Sequence, residues 1–199
     1  MNGLMQDMPL LISSIIEHAA RAHGATEIVT RTNEGPILRT SYGEVAARAR
    51  QVANALAALG IAEGDRVATL AWNTHRHYEL YFGVSGSGAV LHTVNPRLFR
   101  DQVAFIMNHA DDRVVFVDLN LVSVAESVAA DLPGVTHWVI LTDDAHMPET
   151  SLPGALCYET LIAVQPTEYD WPQLDENAAA VRGPWLVGAE MTIADLGVY

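Results

Sequence analysis

Between residues 66 and 142 the chain alternates apolar strand-like runs with helical segments, and this alternation restricts its possible folds more than any other feature. Strands are expected over 66–72, 89–94, 113–117 and 135–142, with helices over 75–87, 101–110 and 121–131 between them. Strands repeating about every two dozen residues, each linked to the next by a helix, define βαβ units and a parallel sheet. Several of these strands are almost continuously apolar, as residues 113–117 show. Such strands belong in a sheet covered on both faces. The expected fold class is therefore α/β, mainly parallel, with flanking helices and four strands in the repeating part.

An N-terminal helix and a hairpin precede this unit. From Pro9 an apolar period places Leu11, Ile15, Ala19 and Ala22 on one helical face, and Gly24 stops the helix. Residues 27–32 and 37–40 form two strands around the turn-rich Asn33-Glu34-Gly35-Pro36. Ser41 and Glu44 make a capping-box pattern, and the helix that follows carries Val45, Val52, Leu56 and Leu59 as its apolar stripe up to Gly60. After Thr142 the pattern dissolves into an acidic stretch containing prolines, with one short apolar segment over 158–164 and a weakly anchored tail.

Composition removes several kinds of chemistry. The net charge is −13, and eleven carboxylates but no Lys or Arg lie between Arg113 and Arg182. A surface of that sign repels phosphate backbones, so nucleic acid is not an expected partner. The chain has no lysine, which excludes a Walker-type phosphate loop and Schiff-base catalysis by these residues. Cys157 is the single cysteine, so neither an internal disulfide nor a cysteine-rich zinc site can form. The nearly apolar run over 8–16 is too short to span a membrane, and Asp7 precedes the first basic residue, Arg21, so no signal-peptide pattern exists. The expected location is the cytoplasm.

Candidate ligand-facing residues sit where strands end, because open α/β sheets collect ligands at the carboxyl ends of their strands. Trp72 and Asn73 end one strand. His92 lies in another that leads into Asn95-Pro96-Arg97. Trp72, Asn73, His92, Asn95 and Arg97 are therefore candidate substrate-pocket residues. Each also has a structural role to weigh: a core aromatic and helix cap for Trp72-Asn73, a turn for Asn95-Pro96. No pair among the eight histidines has metal-ligand spacing with a carboxylate, so no metal site is expected. His75 and His77 are two apart at a helix start and should point in different directions. Gly83, Gly86 and Gly88 precede a strand instead of following one, the wrong side for a phosphate loop. They fit close approach of a helix to the sheet, followed by a glycine stop.

The stretch LAWNTHRHYELYFGVSGSGAVLHTVNPRLFRDQVAFIMNHADDRVVFVD, residues 70–118, resembles the N-terminal region of AMP-forming acyl-CoA synthetases. The similarity is to the fatty-acyl-CoA and methylmercaptopropionyl-CoA ligase branch of the adenylate-forming superfamily. The opening LISSIIEHAARAHGATEIVTRT fits the same branch, and the resemblance covers residues 1–180. It implies a partial adenylate-forming N-terminal domain. The implied reaction is carboxylic acid + ATP + CoA → acyl-CoA + AMP + pyrophosphate, with Mg²⁺. The family's phosphate loop and its lysines have no counterpart here, so the resemblance assigns no catalytic residue, and the chain by itself is expected to be an inactive fragment with no cofactor of its own.

Residues 181–199 change character. GPWLVGAEMTIADLGVY resembles a piece of the helical C-terminal domain of glutathione S-transferases, with Thr192 and Asp195 as its capping pair. A helix ending at Tyr199 would be about two turns long, too short to persist unaided. Two other functions remain open: a non-catalytic module that pairs through exposed sheet edges with itself or an intact synthetase, and glutathione binding through the tail.

Overall fold

A computed structural model describes residues 8–175. Helix α1 (Ile12–His23) leads into the antiparallel hairpin β1 (Glu27–Arg31) and β2 (Ile37–Ser41). Helix α2 (Tyr42–Ala58) follows, capped by Ser41, whose hydroxyl accepts from the Glu44 backbone N–H. The repeating unit is β3 (Arg66–Leu70), α3 (His75–Gly86), β4 (Val90–Thr93), α4 (Arg100–Ala110), β5 (Asp112–Asp118), α5 (Val122–Ala129) and β6 (His137–Leu141). Last come the two-residue strand β7 (Leu156–Cys157) and helix α6 (Tyr158–Ala163).

The sheet is parallel throughout, in the order β4-β3-β5-β6-β7. It has five strands where the apolar pattern indicates four, because β7 is too short to show a period. Side chains alternate between two cores, as a pleated sheet covered on both faces requires. Ala68, Leu70, Val115, Val117, Trp138 and Ile140 join α4 and α5 in one core. Val67, Val114, Phe116, Val139 and Leu141 join α2, α3 and α6 in the other. A third, smaller cluster of Ile16, Val45, Ala49 and Phe82 seats α1 on α2 and α3.

Several local expectations shift. In α1 the buried face carries Ser13 and Ile16, while Ile15 is 57% exposed, so the true stripe lies one residue beyond the expected one. Gly24 ends α1 in a right-handed conformation, not the left-handed one of a C′ glycine. Thr74, not Asn73, caps α3. The acidic segment after Thr142 is well anchored up to residue 175: Gln51 donates to the Ile162 and Gln165 carbonyls, Asn54 to those of Pro166 and Glu168, and the Trp171 indole to Glu17. Thr192 and Asp195 lie outside the described residues, as does the rest of the tail.

Gly83 serves helix–helix contact, not helix–sheet contact. A Cβ there would lie 2.5 Å from Val52 Cγ1 and 2.9 Å from the Ala49 carbonyl oxygen on α2. Trp171 packs over Gly86 in the same way, and Gly88 turns into β4 with φ +90°. Gly83→Ala should therefore destabilise the protein by about 1–3 kcal/mol, because overpacking outweighs the gain in helix propensity. Urea unfolding checks this, and adding Val52→Ala should recover part of the loss.

Candidate functional site

The strand order places a switch point between β3 and β5. From β3 the chain first moves outward to β4, then returns past β3 to build β5, β6 and β7. Adjacent loops diverge there and leave a crevice at the carboxyl ends of the strands. The loop after β3 carries Trp72, Asn73 and Thr74, and β5 ends in Asp118.

Asp118 holds the crevice together. Its Oδ2 accepts from the Trp72 backbone N–H at 2.6 Å, and its carboxyl also receives a hydrogen bond from the Asn33 side chain. Burial pushes this carboxyl up to about 6, against the pull of those donors. Asn120, just beyond, accepts from the Trp72 indole N–H at 3.2 Å. Over the ring, the Arg97 guanidinium lies 6.0 Å from its centroid. The Asn95 side chain accepts from the Arg97 backbone N–H at 3.0 Å, an Asx turn that presents Arg97.

The structure thus brings Trp72, Asn95 and Arg97 together. Asn73 lies beside them on the wall of a neighbouring cleft. His92 engages elsewhere: its Nδ1 is 2.8 Å from Oδ2 of Asp112, the first residue of β5 and so at the opposite end of the sheet. His77 is also fully committed. Its Nδ1 lies 3.1 Å from the Trp72 carbonyl, which can only accept, so Nε2 must accept from the Thr69 hydroxyl at 3.1 Å. Among the described residues no group of three or more His, Cys, Asp or Glu could hold a metal ion.

Beneath the hairpin turn lies a charged junction that sequence reasoning missed. Arg76 donates to Glu34, to Glu159 and to the Leu141 carbonyl at 2.7, 2.8 and 3.0 Å. Arg48 pairs with Glu79 at 2.7 Å and with Glu159 at 2.9 Å, while the Tyr158 hydroxyl donates to Glu79 at 2.6 Å. Burial presses the Glu79 carboxyl upward, and Arg48 and Tyr158 work against it. The partners are as far as 111 positions apart, so no local spacing reveals them. Asp118 is a different case: it ends an apolar strand, and the strand-end criterion that selects Trp72 also selects it.

An α/β sheet with a ligand-type switch point is the class of protein that this geometry defines. The profile of a family described as AMP-binding enzyme matches residues 16–180. The chain is 45% identical over 180 residues to 3-methylmercaptopropionyl-CoA ligase of Ruegeria lacuscaerulensis, covering 90% of this chain and 33% of that protein. It is 42% identical over 180 residues to the medium-chain-fatty-acid–CoA ligase of Ectopseudomonas oleovorans, with the same coverage. A crystal structure of an anthranilate CoA ligase with anthranoyl-AMP superposes with a TM-score of 0.74 at 24% identity, over 86% of this chain and 32% of that one, a likeness of fold. The chain belongs to the AMP-binding enzyme family. It spans about a third of the length of the curated relatives it matches. No helix among the described residues is long and apolar enough to cross a membrane.

The Asp118 carboxyl has a higher proton affinity folded than unfolded, where it ionises near pH 4. Its stabilising share is therefore complete below about pH 4 and is lost as pH rises through about 6. Relative to Asp118→Asn, the wild type should lose about 1–3 kcal/mol of stability between pH 4 and pH 7. Urea denaturation of both proteins across that range checks the slope.

Proposed function

We propose that this chain supplies the N-terminal part of an AMP-forming acyl-CoA ligase, and that its switch-point crevice meets the phosphorylated adenosine portion of ATP or CoA. Family membership supports the reaction: a carboxylate attacks the α-phosphate of ATP, and the thiol of CoA then displaces AMP. The Trp72–Arg97 pair is the observation that carries the site. An exposed guanidinium beside an indole face offers a phosphate its charge and a base its stacking surface. Asn120 and Asp118 fix the indole and its backbone, so the surface is preorganised. Asn95 orients Arg97, and Asn73 stands at the rim. His92 has no part in this surface.

The same 199 residues do not complete the first step. Charge develops on the phosphoryl oxygens there, and stabilising it calls for cations and backbone donors gathered around the triphosphate. The chain has no lysine, and the Arg48 and Arg76 guanidiniums are engaged by carboxylates. The described residues offer no group of three or more His, Cys, Asp or Glu that could hold Mg²⁺. We expect the purified chain to give no fatty-acid-dependent ATP–pyrophosphate exchange, and to bind CoA or ATP about tenfold more weakly once Arg97 is replaced by Ala. Exchange above background would overturn the inactivity, and unchanged binding by Arg97→Ala would remove the site.

A second reading, a module that pairs through its sheet edge, is favoured by β4. This strand forms one edge of the sheet, with Val90 47% exposed. An uncovered edge strand is a template for another strand. Size-exclusion chromatography of the chain, alone and mixed with a full-length ligase relative, should then show a dimer or a mixed complex. A monomer in both runs counts against it. Glutathione binding through residues 181–199 has no support in the family match, which ends at residue 180.

A further inference from the structure

A cleft of about 410 Å³ opens between β1 and the first two turns of α3. The consecutive residues Ile28, Val29 and Thr30 line it and no residue of β2 does, so it follows the backbone edge of β1 that is turned away from β2. In an antiparallel pair, residues bonded across the ladder alternate with residues whose N–H and C=O point outward. Tyr42 donates its N–H to the Thr26 carbonyl and Thr32 donates to that of Pro36, and these two pairs bracket the hairpin. Stepping by two from either end gives Ile28 and Thr30 to the bonds with β2. The backbone N–H and C=O groups of Glu27, Val29 and Arg31 therefore point out of the hairpin. Among the described residues no backbone group of another element meets them.

An open strand edge is a template for another strand, and charge decides which strand fits this one. The strand reads Glu27-Ile28-Val29-Thr30-Arg31, with an acid and a base equally far from Val29. Glu27 and Arg31 are exposed, and Val29 is 51% exposed between them. A twofold axis at Val29 would set that residue opposite its own copy and Glu27 opposite Arg31 of the partner subunit. Opposite charges facing across strands stabilise the pair, and like charges weaken it. The other edge of the hairpin fails this criterion. There the outward groups belong to Ile37, Arg39 and Ser41, and a twofold axis at Arg39 would set two guanidiniums face to face. In a chain of net charge −13, general repulsion opposes self-association, and β1 is a neutral, self-complementary strand within it.

We propose that β1 is a dimerisation edge, at which two copies of this chain pair their β1 strands antiparallel about a twofold axis at Val29. The two hairpins then form one continuous sheet, β2-β1-β1-β2, and the outward N–H and C=O groups of Glu27, Val29 and Arg31 all find partners. Facing residues share one side of a sheet, so the incoming Ile28 and Thr30 lie on the side where Ile28 already packs beside Tyr78. The cleft between β1 and α3 is the space they enter. This edge is distinct from β4 and from the Trp72–Arg97 crevice, and the proposal does not rest on the ligase reading.

Sedimentation velocity of the 199-residue protein between about 10 and 500 µM should show a reversible dimer. Amide hydrogen exchange should protect the Val29 N–H only at the upper end of that range, whereas Ile28 and Thr30, bonded to β2, should change little. Arg31→Glu sets acids opposite each other twice in the dimer and should weaken it by about tenfold or more. Adding Glu27→Arg restores opposite charges and should bring the dissociation constant back to within about threefold of the wild type. Both substitutions are at exposed positions, and circular dichroism verifies that each variant is folded. Val90→Lys, on the β4 edge, should leave the dimer unchanged. A monomer at every concentration, a dimer indifferent to Arg31→Glu, no recovery in the double variant, or loss of the dimer through Val90→Lys would each overturn the proposal.

Discussion

The Arg76 guanidinium sits almost fully buried where four parts of the fold meet. It reaches Glu34 in the hairpin turn, Glu159 at the start of α6 and the Leu141 carbonyl at the end of β6, from its own place on α3. A buried charge with a missing partner costs several kcal/mol, so each of these groups must stay in place while the others do. The neighbouring Arg48, Glu79 and Tyr158 extend the same constraint to α2. Thr142 closes it by donating to Glu34. The hairpin is fastened in this way over the carboxyl ends of β5 and β6, and the crevice at the switch point keeps its shape because the hairpin cannot drift.

That fastening explains how an exposed pair of side chains can be well placed. Trp72 lies 36% exposed, yet its backbone is tied to Asp118 and its indole to Asn120. Asn33, one residue before the Arg76-bound Glu34, bonds the same Asp118. The hairpin, the end of β5 and the loop after β3 are therefore one polar unit. Arg97 joins from β4 through a turn of its own. Ligand-facing atoms at a sheet end are useful only when the loops that carry them are ordered beforehand, since ordering them on binding would cost affinity.

The legible part of the site is the part that depends on local position. Trp72, Asn95 and Arg97 follow strands, and a strand-end rule finds them. Asp118 obeys the same rule but reads in sequence as the last residue of an apolar run. Glu34, Arg76, Glu79 and Glu159 give no comparable signal. Glu79, on a helix that also carries His75, His77 and Tyr78, looks like an ordinary solvent-facing acid, and only its distance-spanning contact with Arg48 and Tyr158 shows that it is buried. The displaced face of α1 has a similar cause: a stripe through Ile15 and one through Ile16 are equally periodic, and the packing of α2 and α3 selects Ile16.

By itself the sequence determined the parallel α/β class, the hairpin and the positions of nearly all the helices and strands, because periodicity, caps and apolar runs are local properties of the chain. The tertiary structure alone decided the strand order, the fifth strand, the place of the switch point and the identity of the buried ion pairs. Those depend on contacts between residues up to 111 positions apart, and no spacing along the chain encodes which distant carboxylate a buried guanidinium will meet.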